Sequence, residues 1–201
     1  MDFIEEFEAT AIASLAGIDN VQMRKAVDLL SSLRDAEGRL FIAGSGGGAG
    51  HASHAAADFR RLTGIESYAV GDNVSELTAL INDESWEQSY RFVLEQSKFS
   101  ARDMILFFSV GGGDEVRNIS ANLVVAAKHA AALGVKMISV VGYPGGYLAE
   151  VSDCAIVIPI SDRSRLTPIT EALQAYVWHL LVSHPQLTVR KAMWESVDKS
   201  I

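Results

Sequence analysis

The sequence predicts an α/β fold, a three-layer sandwich with a mainly parallel central sheet, preceded by extra N-terminal helices. Three observations carry that expectation. The strand candidates Leu40–Ala43, Met104–Phe108, Val135–Val141 and Ala155–Ile160 are near-continuous apolar runs, as strands are when helices cover both faces of a parallel sheet. Helical segments alternate with them. Two strands run straight into glycine-rich loops, Gly44-Ser45-Gly46-Gly47-Gly48 and Ser109-Val110-Gly111-Gly112-Gly113-Asp114, and the carboxyl ends of strands are where an open parallel sheet holds ligands.

The elements follow in order. Residues 2–16 place Phe3, Ile4, Phe7, Ala11 and Leu15 on one helical stripe, and residues 21–36 do the same with Val21, Ala26, Leu29, Leu30 and Leu33. Two such helices ahead of the first strand either cover their own sheet or pack against another subunit. The first strand and loop lead into a helix from about Ala49 to Leu62, and Glu66–Val70 reads as the second strand. Asp72-Asn73-Val74-Ser75 opens a helix through Leu77–Asp83, and Ser85 opens another to about Gln96. Beyond the second loop, Asn118-Ile119-Ser120 starts an alanine-rich helix that Gly134 ends as a C-cap. Val135–Val141 is closed by a turn, Gly142–Gly146. A helix from about Thr167 to Val182 and a terminal one over Val189–Ser196 complete the chain. Without a linker, repeat or low-complexity segment, 1–201 reads as a single domain, with 1–36 as the N-terminal helices and 37–185 as the sheet core.

Composition narrows the function. The 201 residues are 49% hydrophobic and 21% charged, with a formal net charge of -8, which argues against a nucleic-acid surface or a polybasic membrane anchor. No apolar run approaches a membrane span, and the acidic start MDFIEEFEAT has no signal-peptide pattern, so a cytoplasmic protein is expected. The single cysteine, Cys154, lies in an apolar run and reads as a small buried hydrophobe.

Chemistry is concentrated at the first loop. Strand, glycine loop and helix present backbone N–H groups and a positive helix end to an anion. His54 and Asp58, four residues apart, share the helix face just beyond, although alone such a pair is an ordinary surface contact. Neither loop matches a dinucleotide or Walker pattern. Ser45, Ser109 and Ser120 offer hydroxyls to a phosphate and Arg117 a charge; Ser120 reads more readily as an N-cap, and Arg117 equally as a solvated side chain. In the last long helix Glu171 and His179 stand eight residues apart, about 800° of helix, so both can look to one edge. If that helix packs by the first loop, two imidazoles and two carboxylates surround one point, a set suited to Zn²⁺ or another divalent ion. His51, His129 and His184 read as structural, His51 the least securely.

The stretch AGSGGGAGHASHAAADF resembles the G-N-G-G-S-x-x-x-A-x-H-x-x-x-E segment of the sugar-isomerase (SIS) domain family, in its phosphoheptose isomerase branch. The likeness runs from about Phe3 to His184 and includes Leu77–Asp83, the second loop, Gly145-Gly146 and Glu171–Leu181. It implies a flavodoxin-like SIS fold and an aldose–ketose isomerase converting sedoheptulose 7-phosphate to D-glycero-D-manno-heptose 7-phosphate, a homotetramer with sites between subunits. By the resemblance, His54, Asp58, Glu171 and His179 hold the metal, zinc by expectation, and Asp58, Glu171 and His179 are catalytic. Ser45, Gly46, Gly47, Asn82 and Asp83 match sugar-contacting positions. Ser109 and Ser120 match the ends of the phosphate loop, which brings Val110, Gly111 and Arg117 to the substrate. An enediol route then needs His179 or Asp58 as base, with a metal polarising the two oxygens. A neutral imidazole is required for either role, so activity is expected to fall below about pH 6.5.

Three departures from the family pattern stand out. Asp58 replaces Glu, Glu171 replaces Gln, and the second loop has lost most of its hydroxyls and gained Asp114 and Glu115. They leave two rival readings: an isomerase of a different phosphosugar, or a non-catalytic sugar-phosphate-binding or protein-interaction module. The four retained chelating side chains weigh against the second.

Overall fold

A computed structural model describes residues 2–196. In chain order the elements are α1 (Phe3–Ala16), α2 (Asn20–Asp35), β1 (Leu40–Gly44), α3 (Gly47–Asp58), β2 (Ser67–Ala69), α4 (Val74–Asp83), α5 (Trp86–Gln96), β3 (Met104–Ser109), α6 (Ala121–Ala132), β4 (Lys136–Gly142), α7 (Gly146–Val151), β5 (Cys154–Ile158), α8 (Leu166–Ser183) and α9 (Met193–Ser196).

The strands form one parallel sheet in the order β2-β1-β3-β4-β5, with Leu40 opposite both Ser67 and Met104, and Met104 opposite Lys136. The order reverses between β1 and β3, so the switch point lies at their carboxyl ends, where both glycine loops leave the sheet. Side chains alternate between the faces. Leu40, Ile42, Leu106, Phe108, Ile138, Val140 and Ile156 pack under α2, α3 and α8. Phe41, Ala43, Ile105, Phe107, Met137 and Val141 pack under α5, α6 and α7. Each fully buried side chain of this size contributes roughly 1.5–3 kcal/mol, and burial on both faces is why the strands are apolar throughout.

The two N-terminal helices differ. Met23, Ala26, Val27, Leu30 and Leu33 of α2 are buried against the sheet, whereas Val21, expected on that stripe, is exposed. In α1 Phe7 and Ala11 pack against the core and Ser14 is buried, whereas Phe3, Ile4 and Ile12 remain 71%, 65% and 67% exposed. Thus α2 covers its own sheet and α1 largely does not. A capping box fixes the start of α1, Asp2 and Glu5 each accepting the other's backbone N–H at 3.0 Å.

Several boundaries depart from expectation. The first-loop helix begins at Gly47, and its last turn widens into a π-helix, Phe59–Thr63, ended by Gly64 at φ 73°. The sixth helix starts only at Ala121, because residues 114–119 form a small loop closed by an Asp114–Ile119 bridge. The Gly142–Gly146 turn continues into α7, which periodicity missed because six residues show no period. Its first N–H groups, Tyr147 and Leu148, donate to the carbonyls of Gly113 and Gly112. The last strand ends at Ile158, before Pro159, which cannot donate to a ladder. Val189 and Arg190 donate their N–H groups to the Leu62 carbonyl, so the terminal helix begins only at Met193. No helix among the described residues is long and apolar enough to cross a membrane.

Candidate active site

Close backbone packing sets the first loop. A Cβ on Gly44 would stand 2.2 Å from the Gly48 carbonyl oxygen, and one on Gly48 would stand 2.7 Å from that of Phe108. Gly46 turns the chain at φ 60°. Where β2 has ended, the Tyr90 hydroxyl of α5 donates to the Gly44 carbonyl at 2.7 Å. Burial, with Asp72 nearby, pushes that phenol up to about 12, so it stays a donor. The Ser45 hydroxyl and the buried Asn122 amide exchange hydrogen bonds of 3.3 and 3.2 Å, tying the loop to α6.

Beside α3 on the same sheet face lies α8, held over the strand ends by Gln174, whose amide donates to the carbonyls of Ser109 and Val140 at 3.1 and 3.0 Å. Three of the four side chains expected to converge, His54, Asp58 and His179, meet here, and Glu171 does not join them. His54 Nε2 is 3.6 Å from Asp58 Oδ2, the His54 and His179 rings stand perpendicular with centroids 5.6 Å apart, and donor atoms of His54, Asp58 and His179 all lie within 4.8 Å of one another. The buried Trp178 indole walls both rings, 3.4 Å from His179 and 4.6 Å from His54 between centroids. His179 Nδ1 is 2.8 Å from the Ala175 carbonyl. A carbonyl only accepts, so Nδ1 carries the proton and the Nε2 lone pair is left for an ion or a proton. The His54 side chain is 62% exposed, and the cluster opens outward. Two imidazoles and a carboxylate in mutual reach fit a divalent cation with positions left for substrate.

Glu171 stands nearby but apart from that trio. Its carboxylate covers Gly47, where a Cβ would be 2.5 Å from Cδ and from Oε2. That is the first residue of α3, whose helix dipole favours a carboxylate. His51 lies between Gly47 and His54. Its ring meets Phe108 edge-on at 6.0 Å, and burial lowers its pKa even though the Glu171 carbonyl and carboxylate face it and pull the other way.

The second loop is built differently. Ser109 Oγ accepts from the Gly112 N–H at 3.1 Å, and the carbonyls of Val110, Gly112 and Gly113 accept from Gly142, Leu148 and Tyr147 at 2.9, 2.8 and 3.1 Å. Gly111 remains exposed. Arg117 is 77% exposed and 3.7 Å from Asp114. Ser120 precedes α6 at φ 50° without the side-chain cap bond that its position allowed. Asn82 and Asp83 end α4 on the surface, hydrogen-bonded to each other at 2.8 Å. His129 and His184 pair with Glu95 and with the Gln186 N–H respectively, as structural residues do. Burial pushes the Cys154 thiol up to about 11, which makes it inert as expected. Sequence reasoning missed Trp178, Tyr90 and Asn122; the one available signal was that Trp178 falls a turn after the buried Gln174.

Comparison with known proteins agrees with this fold. The family profile described as SIS domain matches residues 4–142. The lincomycin biosynthesis protein LmbN of Streptomyces lincolnensis is 34% identical over 81% of this chain, which spans only 61% of that protein's length. A phosphoheptose isomerase of Mycobacterium tuberculosis is 32% identical over 74% of this chain and 76% of its own. In structure, phosphoheptose isomerase GmhA from Neisseria gonorrhoeae superposes with a TM-score of 0.76 at 22% identity, covering 89% of this chain and 95% of that one.

Proposed function

The chain belongs to the SIS domain family, and from that premise we propose that it is an aldose–ketose isomerase of a phosphosugar, converting sedoheptulose 7-phosphate to D-glycero-D-manno-heptose 7-phosphate through an enediol. The observation that carries the reading is the convergence of His54, Asp58 and His179 from two helices, with donor atoms within 4.8 Å of one another. Asp58 and His179 are the groups that move the proton from the carbon beside the carbonyl to its neighbour. The Nδ1–H anchor on Ala175 keeps His179 Nε2 aimed at that exchange.

His54, Asp58 and His179 would hold a divalent cation, with zinc the first to test; Glu171, expected as a fourth ligand, instead rests on Gly47 at the sugar end of the site. When bound, it would polarise the substrate's carbonyl and hydroxyl oxygens. Ser45, Gly46 and Gly47 receive the sugar at the switch point, with Asn82 and Asp83 as further sugar contacts. Ser109, Val110, Gly111, Ser120 and Arg117 face the phosphate end. The outward-opening cluster and the exposed Phe3, Ile4 and Ile12 of α1 support sites between subunits, and the family resemblance is what suggests a cytoplasmic homotetramer.

The test is proton exchange and turnover with heptulose, hexulose and pentulose phosphates. His179→Ala and Asp58→Asn are expected to lose at least about 10²-fold in turnover while unfolding at the wild-type midpoint. A fully active His179→Ala enzyme overturns the assignment. A wild-type chain that binds these phosphates and turns over none is a binding module instead.

A further inference from the structure

α8 brings Glu171 and His179 to the site, and one residue between them joins the helix to the sheet. Gln174 is fully buried. Its amide donates to the carbonyl of Ser109, the last residue of β3, and to that of Val140 in β4, at 3.1 and 3.0 Å. The only other side-chain bond of α8 among the described residues, from His179, stays within the helix. Thr170 and Trp178 lie one turn to either side on the same face and are buried as well, but their polar atoms have no partner there. The rest of the buried face, with Ile169, Leu173, Val177 and Leu181, is apolar.

Apolar burial is non-directional and holds α8 down. Directional hydrogen bonds from one planar amide to two neighbouring strands fix its rotation and its height. Glu171 precedes Gln174 by three residues and His179 follows by five, roughly 4–5 Å and 7–8 Å along the axis. A slip of α8 by one residue would turn the helix about 100° and carry His179 away from His54. Ser109 is bonded a second time, because its hydroxyl accepts from the Gly112 N–H at 3.1 Å, so the same junction holds the start of the second loop. From these bonds we infer that Gln174 is a positioning residue of the site. It sets the register of α8 over the strand ends, and so the placement of His179 and its Trp178 wall beside His54 and Asp58. It touches neither ion nor substrate. The inference rests on the His54, Asp58 and His179 cluster of the proposed function, and not on the identity of the sugar.

The experiment uses the full chain. It measures the imidazole NMR signals of the metal-free protein, which the ring current of Trp178 shifts, then zinc affinity by competition with a chelator, and cobalt(II) absorption. Gln174→Met keeps the length of the side chain and removes both donors, whereas Gln174→His keeps one ring N–H. Gln174→Met is expected to move the His54 and His179 signals, to weaken zinc about 10–100-fold, the usual range for groups that orient metal ligands, and to alter the cobalt spectrum. Gln174→His should fall between it and wild type. Loss of any buried amide lowers the unfolding midpoint, so a folded Gln174→Met protein with wild-type signals, affinity and spectrum overturns the inference. If Gln174→Met does not fold, Gln174→His decides: moved imidazole signals with weaker zinc support the inference, and wild-type values overturn it. A wild-type chain that binds neither zinc nor cobalt removes the metal reading, and the imidazole signals then decide alone. One that binds zinc but isomerises no sugar phosphate leaves the Gln174 result standing and overturns only the isomerase reading.

Discussion

The two glycine loops are alike in sequence and opposite in construction. Each follows an apolar strand, opens with serine and glycines, and leads toward a helix. In the first, the glycines let the start of α3 approach β1 and β3, and the backbone of Gly46 and Gly47 stays uncovered except by the Glu171 carboxylate. In the second, the loop is bonded into the protein, because its carbonyls accept from the turn after β4 and from the first N–H groups of α7. Glycine permits close approach in both places. What approaches differs: the end of a side chain in one loop and backbone in the other.

That contrast can be tested by substitution, the costliest first and each loop in turn. Gly112→Ala should cost most, about 3–5 kcal/mol. Its Cβ would lie 1.7 Å from the Gly145 carbonyl oxygen at φ 75°, which combines overpacking with backbone strain. Gly111→Ala, with open space around it, is the control and should fall within about 0.5 kcal/mol of wild type in chemical denaturation. Equal effects at the two positions would mean that the second loop is not fixed by α7. Ser45→Ala should cost about 1–2 kcal/mol, because the buried Asn122 amide loses its partner; no loss would separate the first loop from α6. Gly47→Ala is expected to leave stability within about 0.5 kcal/mol, since the atoms in its way are the end of the flexible Glu171 side chain. It should instead displace that carboxylate, lowering zinc affinity and turnover. Unchanged zinc binding would show that the seat of Glu171 on Gly47 does not matter to the site.

The parallel sheet was legible because both faces of its strands are buried, which leaves no polar alternation in Met104–Phe108 or Val135–Val141. α7 was not, since Gly146–Val151 folds as a helix only because carbonyls of Gly112 and Gly113, far away in sequence, receive its first N–H groups. The π-turn at Phe59–Thr63 likewise has no periodic signature. Within the site, the His54–Asp58 and Glu171–His179 spacings were readable, as was the likelihood of each pair facing one way along its helix. Spacing alone did not show that the Nε2 atoms of His51 and His129 are buried without a hydrogen-bond partner among the described residues.

The sequence by itself determined which segments pair into a sheet, where the loops leave it, and which side chains share a helical face, since those follow from local periodicity and from the geometry of one element. Only the tertiary structure decided that α3 and α8 lie side by side, that Trp178 walls both imidazoles, that Glu171 rests on Gly47, and that the second loop is bonded into α7. Those facts depend on how separate elements rotate and approach one another, and such distances are fixed by packing across the sheet rather than by any residue's neighbours in the chain.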